Sequence, residues 1–202
     1  MKHALIIAAS AIFAFATGCS AFERTTLDTI DDTYDPTTVT GQLDFYHALP
    51  GRSAVTNDEA FRGVLLFVDG VDTAQNYDER VQAMKNRGWL RDWYDEPANM
   101  LVQRGRLASV LSKAIGVDGG VMYNLTMAAP RYANREMMHL GIMQPGTEQQ
   151  VVSGLDLLSI LGRTEDYLVA QALSDLADSP VQELPEQPDQ APQDAPDQPE
   201  AS

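Results

Sequence analysis

The sequence predicts a mainly α-helical domain across residues 41–177, on three observations. Apolar residues recur at three- and four-residue spacing, as in Leu107, Val110, Leu111, Ala114 and Ile115, which places one face of a helix on a core. Glycines stand where those stripes stop, at Gly70, Gly88, Gly116 and Gly141, the position that favours a left-handed cap. Two Ser/Thr-x-x-acid sequences, Thr56 to Glu59 and Ser153 to Asp156, have the form of capping boxes, which satisfy orphan amides at a helix start.

The elements follow in chain order. Leu43, Tyr46, Ala48 and Leu49 predict a short helix stopped by Pro50-Gly51. Thr56 opens the next, with Phe61, Val64, Leu65 and Val68 as its buried stripe and Asp69-Gly70 as its end. A helix over 73–87 follows from Ala74, Tyr77, Val81 and Met84; Trp89 and Leu90 then tuck inward before an irregular loop, 91–101. The stripe described above predicts a helix over 103–115. Val121, Tyr123, Leu125 and Met127 alternate, which fits a short strand or extended segment, although so short a run leaves the period ambiguous. Helices over 131–140, 153–161 and 164–177 complete the domain, with Ile142-Met143 in the place that Trp89-Leu90 hold earlier.

On either side the composition changes. Residues 1–18 read as a secretory signal: a short polar start, then the apolar run Ala4–Ala16 of 13 residues, too few for the roughly 20 that cross a bilayer as a helix. Residues 19–40 are rich in Thr and Asp, which compete for backbone hydrogen bonds, and read as a flexible tether. Residues 178–202 carry six prolines, seven acids and no basic residue, a composition that cannot bury enough apolar surface to order itself. With a formal net charge of −15, the chain disfavours nucleic acid, anionic wall polymers and bare anionic headgroups.

Two resemblances add to this reading. Ala16-Thr17-Gly18-Cys19, with its small residues before the only cysteine, resembles the lipobox of bacterial lipoproteins. That family implies cleavage before Cys19, a diacylglycerol thioether on its sulfur and attachment to a membrane; with Ser20 and no Asp after the cysteine, the implied address is the periplasmic face of the outer membrane. With Cys19 lipidated, no disulfide is left to the chain.

Val55-Thr56-Asn57-Asp58-Glu59, Val102-Gln103-Arg104-Gly105-Arg106 and Val152-Ser153-Gly154-Leu155-Asp156 start 47 and 50 residues apart. The second and third follow a helix ending Met84-x-x-x-Gly88 or Met137-x-x-x-Gly141, two large apolar residues and a polar loop. This pattern, over 41–168, resembles the S-layer homology domain, whose repeats open a helix with a Val-Thr-Arg-Ala-Glu-like motif. The resemblance implies three helical units about a pseudo-threefold axis and non-covalent binding of wall polysaccharide in grooves between them. Arg104 stands at the motif Arg, while Asn57 and Gly154 replace it elsewhere; the motif Glu is kept as Glu59, becomes Asp156, and is reversed to Arg106.

The candidate ligand residues are Arg104 and Arg106, near a positive helix start suited to an anion, and Trp93 and Tyr94 in the charged loop that follows Trp89. The arginines serve either a ligand or ordinary ion pairs. The two aromatics either face a sugar or cover a buried Trp89. Asp92, Asp95 and Glu96 are sequence neighbours on one loop and do not make a glycosidase pair, which faces across a cleft. His47 and His139 lack companions at ligand spacing, and Asp31-Asp32 has no supporting cluster. No phosphate loop, nucleophile elbow or zinc-protease motif occurs, so no catalytic residue, metal site or cofactor is expected. The expectation is a non-enzymatic, lipid-anchored envelope protein that binds or organises a wall or surface component; an adaptor in envelope assembly and, less favoured, an envelope-polymer-processing enzyme are the alternatives.

Overall fold

The computed structural model describes residues 25–30 and 38–178. Among these residues the fold is mainly helical, with seven α-helices, one 3-10 turn and isolated β-bridges in place of strands. The signal segment, Cys19 and the tail beyond Asp178 lie outside the described residues.

Helix α1, Val39–Ala48, starts on Thr38, whose hydroxyl accepts from the Gly41 amide, and runs into the 3-10 turn Leu49–Gly51. Its buried face is Phe45 and Leu49, one turn apart; Leu43, expected inside, is 52% exposed. Helix α2, Asn57–Asp69, opens on the expected capping box: Thr56 Oγ1 accepts from Glu59 N at 3.3 Å and Thr56 N donates to Glu59 Oε2 at 2.7 Å. Phe61, Val64 and Leu65 are buried while Val68 sits at the rim, and Gly70 ends the helix at φ 71°.

Helix α3, Tyr77–Asn86, is shorter than the 73–87 expected. Asn76 holds an extended backbone and caps the Glu79 amide, while Asp72 accepts from Ala74 N and turns the preceding residues. An Asx turn and an Asn cap compete there with helical geometry and win.

Helix α4, Arg104–Ala114, has no side-chain cap from Gln103. Neighbouring carbonyls supply what the cap lacks: Arg104 N donates to Gln150 O at 2.8 Å and Gly105 N to Glu148 O at 2.9 Å. Gly105 is required for this approach, because a Cβ there would lie 2.8 Å from Glu148 Cβ and 3.0 Å from Pro130 Cβ.

The residues expected as a strand are instead helix α5, Val121–Leu125, and a reversal at Met127 and Ala128, both at positive φ. Tyr123 alone points in, its hydroxyl 3.0 Å from Ser112 Oγ, while Val121 and Leu125 are 80% and 74% exposed, so the alternation does not mark a buried sheet face. Helix α6, Pro130–His139, packs on α4 and stops before Gly141 at φ 74°.

The last two expected helices are one, α7, Gly154–Asp178. A lone glycine costs a helix interior only about 1 kcal/mol, so Gly162 does not break it. Its start carries the expected reciprocal bonds between Ser153 and Asp156.

Val55, Val102 and Val152 meet in the core, with Val55 N donating to Val152 O at 2.8 Å and Val102 N to Val55 O at 3.0 Å. Around them the second residue after each valine donates across to the next segment: Asn57 N to Met100 O, Arg104 N to Gln150 O, and Gly154 N to Arg52 O. The three helix starts thus form a closed cycle.

Residues 25–30, part of the expected tether over 19–40, are hydrogen-bonded to the domain. Thr26 bridges Met100, Leu27 N donates to Asn99 O and Leu101 N to Thr25 O. Ile30 N reaches Glu59 Oε1 at 2.9 Å, beside Arg52, whose Nη2 also holds the Asp28 carbonyl. The exposed backbone of 97–101 offers donors and acceptors that a Thr/Asp-rich segment can pair despite its weak apolar content.

Candidate functional site

Arg104, the first residue of α4, lines a cavity of about 700 Å³ between the starts of α4 and α7. Its Nε donates to Asn134 Oδ1 at 2.8 Å and its Nη2 to the Gln144 carbonyl. Asn134, itself 2% exposed, is fixed in turn by donating to Gly146 O at 3.0 Å. Both partners of the guanidinium are neutral, and no carboxylate of the described residues lies within ion-pair distance of it. Desolvation pulls the Arg104 pKa down from its ordinary value, opposed in part by Asp156 across the cavity. The cavity therefore holds a fixed positive charge at the N-terminal end of a helix, where an anion is favoured.

The other expected ligand residues do not join it. Arg106 pairs with Glu96 at 3.3 Å and lies over the rings of Tyr94 at 4.9 Å and Trp93 at 5.9 Å. Tyr94 is 2% exposed: it packs on Phe61, and its hydroxyl lies 3.0 Å from that of Tyr77, which donates to Glu96 O. Tyr94 is thus held from several sides in the core, and it also lines a surface hollow with Tyr77, Asp95 and Glu96, away from the Arg104 cavity. Trp93, at 69% exposure, is available at the surface. Trp89 is buried with Arg87 stacked over it at 4.7 Å. Replacing Trp89 by Ala is expected to cost about 3–5 kcal/mol and Trp93 by Ala under about 0.5 kcal/mol, measured as paired urea melts.

The tyrosines give the fold an alkaline limit. Burial pushes Tyr46 up to about 12, and burial also raises Tyr77 and Tyr94. A tyrosine whose folded pKa exceeds its unfolded value contributes stability that is complete below about pH 10 and is lost as pH climbs toward the folded value. Spectroscopic titration should show tyrosinate absorbance lagging free tyrosine above pH 10, with unfolding following in that same window.

One charged cluster was missed from sequence. Arg80, 1% exposed, places Nη1 2.6 Å from Asp58 Oδ1 and Nε 2.6 Å from Asp72 Oδ2, with Arg62 3.9 Å from the same Asp72 oxygen. The available signal was a cation on the apolar stripe of α3, three residues after Tyr77 and four before Met84. Two carboxylates matched by arginine form a closed internal network, so the cluster is structural. Among the described residues there is no group of three or more His, Cys, Asp or Glu able to hold a metal ion, and no helix long and apolar enough to cross a membrane.

Comparison with protein-family models, curated proteins and solved structures found no match to this chain.

Proposed function

We propose that the protein is a bacterial lipoprotein, cleaved after residue 18, lipidated on Cys19 and held at the periplasmic face of the outer membrane. In this reading its domain resembles S-layer homology repeats and works without catalysis, binding or organising a wall or surface component at Arg104. The observation that carries the reading is a cavity of ligand size holding an arginine whose hydrogen-bond partners among the described residues are neutral. Support for three related units comes from the matching hydrogen bonds at the helix starts and from the shared ends of α3 and α6. Leu90 N donates to Met84 O, and Met143 N to Met137 O, around Gly88 and Gly141.

Retention of the purified chain on isolated sacculi tests the binding claim. Arg104→Ala is expected to reduce retention about tenfold or more, the worth of a charge-assisted hydrogen bond, while the fold survives by circular dichroism. Radioactive palmitate should label the wild-type chain and not Cys19→Ala; an unlabelled wild type sinks the anchor. Turnover of muropeptides would overturn the non-enzymatic part.

The adaptor reading has one observation of its own. Val169, Leu173 and Leu176 of α7 are 54%, 62% and 71% exposed, continuing an apolar hollow lined by Phe67, Ile115 and Leu168. Crosslinking in cells to one envelope protein, with no retention on sacculi, would favour it.

A further inference from the structure

We infer that the Arg104 cavity takes the headgroup of an anionic phosphodiester glycerolipid from the membrane to which Cys19 is anchored. This deepens the proposed function and rests on its lipid anchor. Reach is the first argument. Thr25 donates no slack to the tether: its carbonyl accepts from Leu101 N, and it lines the cavity itself. Five residues separate it from Cys19, and at about 3.3–3.6 Å per residue its backbone lies within about 22 Å of that of the lipidated cysteine. Ligands that close to the anchor are the headgroups of its own bilayer.

The lining makes the second argument. Leu101, Val151, Val152 and Ile160 give the lining an aliphatic part, and Gln103, Gln150 and Arg104 give it a polar part. Among the described residues no aromatic side chain lines the cavity. An aliphatic lining with one cation fits an amphiphile: glycerol and the first acyl carbons against the aliphatic part, phosphate at the guanidinium.

Charge selects the phosphate. Asp156 also lines the cavity, its carboxylate held by Ser153 N and Oγ at 3.1 and 2.7 Å. One arginine beside one carboxylate suits a monoanionic diester better than a dianionic monoester. The main-chain amides of Arg104 and Gly105 are already spent on Gln150 and Glu148, so the anion is held by side chains: the guanidinium, whose Nε and Nη2 are committed to neutral oxygens, and the flanking amides. The net charge of −15 opposes broad adsorption on anionic lipid, so recognition is of single headgroups.

The test uses the full lipidated chain in phosphatidylcholine vesicles carrying a phosphatidylglycerol probe with a photoreactive group next to the glycerol. Mass spectrometry is expected to place the crosslinks on Leu101, Val151 and Ile160, about tenfold above the same probe on phosphatidylcholine. Arg104→Gln should lower the yield about tenfold, and Val151→Trp, which fills the cavity from a half-exposed position, should abolish it; unchanged melting curves show that both variants fold. Equal yields from the two probes, full labelling in Arg104→Gln, or displacement by inorganic phosphate would overturn the inference. Absent palmitate on Cys19 would sink the anchor instead, and binding to sacculi without lipid crosslinks would leave the proposed function standing while this ligand falls.

Discussion

Replacing Arg80 by Met is expected to lower the unfolding free energy by about 3–5 kcal/mol, measured by urea denaturation at neutral pH. The effect is large because both partners stay behind. Asp58 and Asp72 are each 2.6 Å from the guanidinium, and without it Asp72 keeps the Ala74 amide at 3.1 Å and Arg62 at 3.9 Å. Two carboxylates in a site with almost no water cost far more than the ion pairs contribute. A triple variant with Asp58→Asn and Asp72→Asn added should regain part of the loss, because it removes the stranded charges. If the single and triple variants melt together, the cost lies in packing around α3 and the electrostatic account is wrong.

Gly154→Ala should be nearly as damaging, for a steric reason. A Cβ at this position would stand 1.7 Å from the Leu49 carbonyl oxygen and 3.2 Å from Arg52 Cβ. The obstacle is backbone, so relief requires α7 to move off the 3-10 turn and give up the hydrogen bond from Gly154 N to Arg52 O. Overpacking of this kind costs about 1–3 kcal/mol, more where backbone must shift. Gly162→Ala in the same helix is the control: nothing lies within 4 Å of its Cβ, and the substitution should stabilise by about 0.5–1 kcal/mol. Thermal melts of the two variants should therefore move in opposite directions.

What the sequence disclosed was local. The Thr56 and Ser153 caps, the glycine stops and the inward Trp89-Leu90 and Ile142-Met143 pairs all depend on residues within one or two turns, and each is found where expected. Failures arose where distant chain decides. Nothing within residues 25–30 foretells that the edge of 97–101 is open to them. At the site, Arg104 was singled out by resemblance to a motif, but its partners Asn134 and Gln144 come from segments 30 and 40 residues away. Tyr94 and Trp93 are adjacent and chemically alike; only the packing against Phe61 and Tyr77 separates a core ring from a surface one.

The cycle formed by Asn57 to Met100, Arg104 to Gln150 and Gly154 to Arg52 has a kinetic meaning. A linear array frays from its ends and melts by pieces, because each unit leans only on its neighbours. Here the last segment is fastened to the first, so there is no terminal unit to peel away. Loss of any one start leaves two raw edges, which favours a single all-or-none transition. The opposite cost falls on folding: joining Arg52 to Gly154 closes a loop of about a hundred residues, an entropic step that local helices cannot bypass and that slows folding relative to an open stack of the same helices.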